Sequence, residues 1–246
     1  MSIEPRALPT PQPGAGPSAL AAQDLFALGR QASASRDDRL GRRGSFVRAR
    51  QLLTTGGWRG PRDAAEAYVE EADLAALGGL EAARDAGIDL LVGTADAPAA
   101  RAAAAAGVRV VLRFPYRLGE SDSERLDRLG AIEAGGFAVW AVMPAPVGEP
   151  YGLDTLRVFA LCRLTLPNVP HLLADVGALG PRLAQMAFGF GADELFAPIV
   201  AERALRLGAN AHNPALTRKE AVTLIRGAGL LVCERFSDGT LEEVPA

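Results

Sequence analysis

The chain reads as an α/β protein on a mostly parallel sheet, a partial or compressed version of the TIM-type (β/α) barrel. Three observations lead there. Short runs that are apolar throughout alternate with amphipathic, alanine- and leucine-rich stretches, and strands buried on both faces read as continuous apolar runs. Strand-like runs fall near residues 46, 89, 109, 138, 172, 194 and 231, about seven where a full barrel has eight. The length left after a proline-rich start, about 228 residues, is below the ~250 typical of a complete barrel and must also house an extra leading helix. An open doubly wound sheet is the competing architecture. Its nucleotide-binding form has no support, because no Gly-x-Gly-x-x-Gly lies at a strand-to-helix turn.

Residues 1–18 carry Pro5, Pro9, Pro11, Pro13 and Pro17 without an apolar run, which predicts an unstructured tail rather than a signal peptide. A single domain is expected over residues 19–240, with a frayed end over 241–246. From Ala19 to Leu40 the pattern is helical, and Arg36, Arg39, Arg42 and Arg43 crowd its end. Cations there suit the negative end of the helix dipole, with anion binding as the rival explanation. Ser45–Leu53 is a strand, and Gly56–Pro61 a loop leading to an alanine-rich helical region, Arg62 to Ala86.

Strand Ile88–Val92 follows. Asp96 and Pro98 open the next helix, and Gly107 releases it into strand Val108–Phe114. Ser121 with Glu124 is a capping box, and Phe137–Met143 reads as a buried strand. The stretch Tyr151–Phe196 alternates helix, strand and helix, with His171–Val176 as its strand and Gly180-Pro181 opening its second helix. There Leu179, Leu183, Met186, Ala187 and Phe190 form one stripe of 3.6-residue period, and Gly191 ends the helix. Thr217 with Glu220 makes another capping box before strand Leu230–Arg235.

Composition excludes several function classes. A formal net charge of -3, from 26 basic and 29 acidic side chains, gives no electrostatic case for nucleic acid. No run approaches the ~18 apolar residues of a membrane span. Only Cys162 and Cys233 are present, so no disulfide framework forms, which fits a reducing cytoplasm. Each is expected as a small apolar core residue. Zinc motifs, a serine-nucleophile elbow and a P-loop are all missing.

Several motifs together resemble one family. Arg163, then Asn168-Val169-Pro170-His171, Gly180-Pro181-Arg182-Leu183-Ala184-Gln185 and Phe190-Gly191-Ala192-Asp193-Glu194 resemble the carboxyl-terminal half of the radical SAM enzymes of the futalosine route to menaquinone and, more distantly, the FO synthases. Leu28-Gly29-Arg30, Phe46–Arg50, Glu66-Ala67-Tyr68-Val69 and Tyr116 with Gly119-Glu120-Ser121 and Glu124-Arg125 extend the likeness over most of residues 25–238. One βα unit of the family looks deleted between Val108 and Tyr116. The resemblance implies a radical SAM barrel holding a [4Fe-4S] cluster and S-adenosylmethionine through a C-x3-C-x2-C loop. The corresponding loop here, Thr54–Gly60, contains no cysteine, and the cluster is held by thiolates. The family's motif histidine is Leu118, and its Gly-Thr after the acidic pair reads Ala197-Pro198.

These departures predict a degenerate, non-catalytic member of the family with no cofactor or metal. Its expected partners are a nucleoside-type small molecule or an active radical SAM paralogue. Carried over from the motifs, Tyr116, Glu120, Asn168 and Asp193 are the candidate cofactor-binding residues. The alternative is ordinary acid/base chemistry in the same cleft, with Glu120 and His171 as the catalytic proton carriers. Glu120, Asp175, Asp193 with Glu194, and Glu234 with Arg235 are expected at the carboxyl ends of strands, where barrels place their sites. One of Asp193 and Glu194 should be solvated, since two adjacent buried carboxylates are costly. His212 is read as a turn residue.

Overall fold

The computed structural model describes residues 17–60, 64–95, 98–200 and 215–245. Its leading region is two helices, α1 (Pro17–Ala21) and α2 (Leu25–Leu40). Asp24 caps the second, accepting from the Ala27 amide at 2.9 Å. The arginines at its end do more than face the dipole. Arg36 is buried and donates to the carbonyls of Phe188 and Ala192, and Arg39 donates to that of Pro167. They satisfy carbonyls of the neighbouring helix end and connecting turns, which accounts for their crowding without an anion.

The expected first strand is two, β1 (Arg43–Phe46) and β2 (Arg50–Thr54), interrupted over Val47–Ala49, and the glycine-rich loop folds back as β3 (Gly57–Arg59), antiparallel to β2. The expected helix from Arg62 to Ala86 is corrected: it holds β4 (Glu66–Glu70) and two short helices, α3 (Glu71–Leu74) and α4 (Leu80–Asp85). Alanine and glutamate favour helix alone, yet here β2 and β5 (Leu90–Thr94) supply ladders on both sides of β4, and tertiary pairing overrides propensity.

The chain continues as α5 (Pro98–Ala105), β6 (Arg109–Tyr116), α6 (Asp122–Glu133), β7 (Ala141–Pro146), α7 (Gly152–Thr165), β8 (His171–Asp175), α8 (Val176–Leu179) and α9 (Pro181–Ala187). Next come β9 (Glu194–Phe196), β10 (Ile199–Val200), β11 (Leu216–Thr217), α10 (Arg218–Gly227), β12 (Leu231–Arg235) and β13 (Leu241–Glu243). Both capping boxes form as expected, Ser121 with Glu124 and Thr217 with Glu220. The last segment is not frayed throughout, because β13 pairs antiparallel with β12. The expected apolar stripe breaks at Met186, which is 51% exposed. After α9 the chain tightens into a 3₁₀ turn, Phe188–Phe190, and Phe188 becomes the buried residue. Asp96 and His212 lie outside the described residues.

Among the described residues eleven strands form one sheet in the order β13, β12, β1, β9, β8, β7, β6, β5, β4, β2, β3, parallel except at its two ends. Strand β1 joins β9 and β12, whereas β2 joins β4 and β3. The two are consecutive on the chain. The run from β4 round to β9 therefore begins and ends on the same segment, and the sheet is curled as a compressed (β/α) barrel. Alternation along the strands sorts side chains to two faces. Val110, Leu112, Phe114 and Tyr116 pack in the large layer beneath the helices, while Leu90, Val92, Val111, Ala141, Met143, Leu173 and Phe196 fill the inside of the curl. Each such large side chain contributes about 1.5–3 kcal/mol on burial. The inside is thus a packed core, as barrel interiors generally are.

Candidate functional site

Two groups of charged side chains sit on the inner face, one near each end of the strands. At the base Arg50, Glu66, Glu194 and Arg235 are all nearly inaccessible. Arg50 Nε lies 2.8 Å from Glu66 and its Nη2 2.5 Å from Glu194. Arg235 lies 2.9 Å from Glu66 and 2.6 Å from Glu194, and Arg109 reaches Glu66 at 2.9 Å. Both arginines also stack, Arg50 over Phe196 at 4.5 Å and Arg235 over Trp140 at 4.5 Å. Burial alone would raise the Glu194 carboxyl, but the guanidiniums of Arg235 and Arg50 outweigh it and hold it at about 2, against an ordinary 4.5. Glu66 is lowered for the same reasons, and Arg235 is correspondingly raised.

A second network adjoins it. Arg163 donates to the carbonyls of Gly191 at 2.8 Å and Pro170 at 3.0 Å and to the Asp193 carboxylate. Asp193 also accepts from the Leu172 amide at 2.7 Å and pairs with His171 Nδ1 at 2.7 Å. Gly191 makes this possible: its φ is +98°, and a Cβ there would come within 2.8 Å of Arg163 Cβ, a conformation and an approach that suit glycine alone.

At the mouth, where the strands end, Arg113 on β6 reaches over β5 to Glu70 on β4 at 2.5 Å and over β7 towards Asp175 on β8 at 3.8 Å. Tyr68 lies beneath, edge-on to Phe196 with ring centroids 5.5 Å apart. Burial raises the Asp175 carboxyl despite Arg113, and burial with the nearby Glu70 charge raises the Tyr68 phenol. Asp175 also caps α8, accepting from Gly177 at 2.8 Å. Arg113, Glu70 and Asp175 are each part exposed, unlike the sealed charges at the base.

The residues expected from sequence divide between the two ends. Glu120 follows β6 near the mouth but turns to α6, pairing with Arg128 at 2.6 Å and lying 3.9 Å from Arg125. Tyr116 is buried on the helix side, its hydroxyl 2.7 Å from Thr155, and burial pushes its phenol up to about 12. Arg125, from the same motif, is buried against Asp154 on α7 at 2.7 Å. Asn168 is exposed at the base and donates to Glu133. His171 and Asp193 are at the base, paired to each other.

The expectation that Asp193 and Glu194 stand at a carboxyl end is corrected. They sit at the start of β9, and both are buried rather than one solvated, because each has its own guanidinium partner. Glu234 and Arg235 do end β12, but that strand flanks only the first half of the 43–54 segment, so they too belong to the base. Glu120 follows the end of β6 and His171 opens β8, so the two candidate proton carriers stand at opposite ends of the parallel strands. Sequence reasoning missed Glu66, Glu70 and Arg113. Its usable signal was the alternation of Glu66, Tyr68 and Glu70 with the apolar Ala67 and Val69, a strand period.

A [4Fe-4S] cluster requires thiolates, and the residues present do not fit one. The turn that would carry them is the β2–β3 hairpin, closed by Thr54 Oγ1 donating to the Gly57 carbonyl at 2.9 Å. Cys162 is buried within α7 and Cys233 within β12. Burial pushes the Cys162 thiol up to about 12 and raises that of Cys233. Among the described residues no group of three or more His, Cys, Asp or Glu could hold a metal ion, and no helix is long and apolar enough to cross a membrane.

No protein-family profile matches the chain. It is 29% identical over 133 residues to an aminodeoxyfutalosine synthase of Thermus thermophilus, covering 47% of this chain and 36% of that protein. It is also 29% identical over 151 residues to a 5-amino-6-(D-ribitylamino)uracil–L-tyrosine 4-hydroxyphenyl transferase of Methanosarcina barkeri, covering 53% and 40%. An aminodeoxyfutalosine synthase of Streptomyces coelicolor is 34% identical over 85 residues, covering 34% and 22%. Each match therefore spans well under half of the relative's length. Methylornithine synthase shares the fold, with a TM-score of 0.57 at 12% identity over 87% of this chain and 92% of that one. These matches support kinship with radical SAM enzymes, futalosine-pathway synthases among them, without singling out one member.

Proposed function

We propose that this chain is a radical-SAM-type barrel that works without the iron–sulfur cluster and generates no radical. It serves instead as a binding protein of futalosine-related metabolism, taking a nucleoside-type molecule at the mouth or partnering an active radical SAM paralogue. One observation carries the reading: the turn that would present three cysteines is a cysteine-free hairpin, and the chain's two thiols are buried on separate elements with raised pKa. The occupied inner face agrees with it, since Arg113 bridges the mouth and apolar side chains fill the space below.

Anaerobic reconstitution with iron and sulfide is the direct test. Iron and labile sulfide should stay at background, and S-adenosylmethionine should leave the electron paramagnetic resonance spectrum unchanged. Four irons per chain with a SAM-responsive signal would overturn the reading. Binding is tested by thermal shift: a ligand at 100 times its Kd stabilises by about 2.7 kcal/mol, of order 5–10 °C for a domain of this size. Nucleosides and the active paralogue are the partners to try, and a shift from neither argues against a binding role.

A further inference from the structure

Of the nine large apolar side chains exposed among the described residues, five gather on the rim formed by the β6–α6 loop, the β7–α7 loop and the start of α2. Leu118 lies in the first loop, Val147 and Tyr151 in the second, Leu153 at the head of α7 and Phe26 on α2, and each is at least half exposed. Two arginines fasten these segments together. Arg125 Nη2 donates to the Arg117 carbonyl at 3.2 Å and to Asp154 at 2.7 Å, which sets the Leu118 loop beside Leu153. The Val147 amide donates to the Tyr116 carbonyl at 2.9 Å, holding the two loops together. Arg157, one turn beyond Leu153 on the same face of α7, bonds Asp122 and donates to the carbonyls of Gln23 at 2.8 Å and Ala21 at 2.9 Å. The apolar rim and the α1–α2 turn are therefore neighbours. Clustered exposed apolar groups mark a contact surface, and five side chains are few against the roughly 20–30 residues a side of a stable protein interface. The patch has the size for a short peptide.

A peptide of matching chemistry is tethered beside it. Residues 1–16, outside the described residues, join α1 at Pro17, on the same short helix as the Ala21 carbonyl that Arg157 holds. In their sequence Pro5, Leu8 and Pro11 recur every third residue, and Pro9 and Pro13 restrict φ further. A polyproline II helix has three residues per turn and rises ~3.1 Å per residue, so those three would line one apolar ridge about 19 Å long, with Glu4, Arg6, Thr10 and Gln12 on its other sides. Proline-rich ridges of this kind dock on exposed aromatic and apolar side chains, and the rim offers Tyr151 and Phe26 among aliphatic neighbours. The tether from Pro11 to Pro17 spans up to ~20 Å, and a link that short supplies the ridge at about millimolar effective concentration. We infer that residues 5–11 dock within the same chain as a polyproline II ridge across the rim of Phe26, Leu118, Val147, Tyr151 and Leu153. A second copy of the chain is the competing occupant.

Trypsin reads the docking in the full-length protein, because Arg6 sits on the segment and no other arginine or lysine precedes Arg30. Cleavage after Arg6 requires the segment to leave the surface, so release of residues 1–6, followed by mass, should run at least tenfold slower than in a synthetic peptide of residues 1–16. Tyr151→Ser with Leu153→Ser should bring the rate up to that of the peptide with the thermal transition retained. Both side chains are exposed, and Tyr151 is the N-cap of α7, where serine is preferred. Phe26→Ser, on a separate helix, should accelerate cleavage in the same direction, so the test does not rest on α7 alone. Met186→Ser, an exposed apolar side chain on α9, should leave the slow rate unchanged. The slow rate should also hold on dilution, with the mass of one chain in solution. Wild-type cleavage as fast as the peptide, an unchanged rate in the rim substitutions, or equal acceleration in Met186→Ser would overturn the docking. Protection that fades on dilution together with a two-chain mass would give the rim to a second copy and overturn it equally.

Discussion

The base and the mouth of this sheet both carry arginine–carboxylate contacts, but the two are built differently. At the base Arg50, Arg235, Glu66 and Glu194 are sealed from solvent, each arginine touching both carboxylates. At the mouth one arginine touches two carboxylates, and all three are partly wetted, with side-chain exposures of 31% for Arg113, 26% for Glu70 and 18% for Asp175. Burying charge is expensive unless geometry and number of partners compensate, so the base network is locked into one arrangement, whereas the mouth retains water as a competing partner. Barrels usually hold stability at the base, and the sealed network here sits at that end, while the part-exposed charges sit at the other. The base also does a particular job here. It lies where the ladder is interrupted over Val47–Ala49, and Arg50 and Arg235 tie β4 and β9 together across the segment on which the sheet begins and ends.

The largest expected effect follows from removing one partner there. Arg235→Ala strands Glu66 and Glu194 with Arg50 and part of Arg109, and breaking such a buried pair costs about 3–5 kcal/mol. For a domain of this size the melting temperature should fall by ~6–20 °C, measurable by calorimetry. A loss below ~1 kcal/mol would show that the base depends on its ion pairs no more than the mouth does.

Acid should expose the same contrast, with a smaller effect. Glu194 is held at about 2 in the folded protein against an ordinary 4.5. A depressed carboxylate stabilises fully above its unfolded value, and that contribution is lost as pH falls from about 4.5 towards 2. Urea unfolding followed over this window should show stability dropping steeply in the wild type. Glu194→Gln should be less stable near neutrality yet flatter in acid, and parallel profiles for the two proteins would remove Glu194 from the account.

How much of this was legible follows the range of each interaction. Local signals came through: both capping boxes, Gly180-Pro181 at the start of α9, positive φ at Gly191, and the βα alternation itself. Non-local ones did not. Glu66–Glu70 reads as helix by composition and becomes strand through its neighbours β2 and β5. Arg50 and Arg235 are 185 residues apart, and nothing near either one announces that they share Glu66 and Glu194. A charged residue inside an apolar strand, as at Glu194-Leu195-Phe196, signals that a buried counter-charge must exist, but not which element brings it. The family motif from Arg163 to Asp193 does converge, at the base as a structural tie through Gly191 rather than at the mouth as a ligand site.

The smallest effect should come from Arg113→Met. Its contacts with Glu70 and Asp175 are part exposed, and such pairs contribute about 0–1 kcal/mol, so the melting temperature should move by no more than ~4 °C. The change should appear in titration instead. Burial already raises the Asp175 carboxyl above its ordinary 3.8, and Arg113 opposes that rise. Without the guanidinium the group should titrate still higher, followed by the carboxyl carbon resonance in labelled protein. The sign for stability is the reverse of that at Glu194: an acid whose folded value is raised favours the folded state while protonated, and that advantage is lost as pH climbs through the folded value. Arg113→Met should therefore lose more stability than wild type between acid and neutral pH. If it instead costs several kcal/mol at every pH, with no movement of Asp175, the mouth is held by its ion pairs just like the base and no ligand is needed to explain why its charges stay near water.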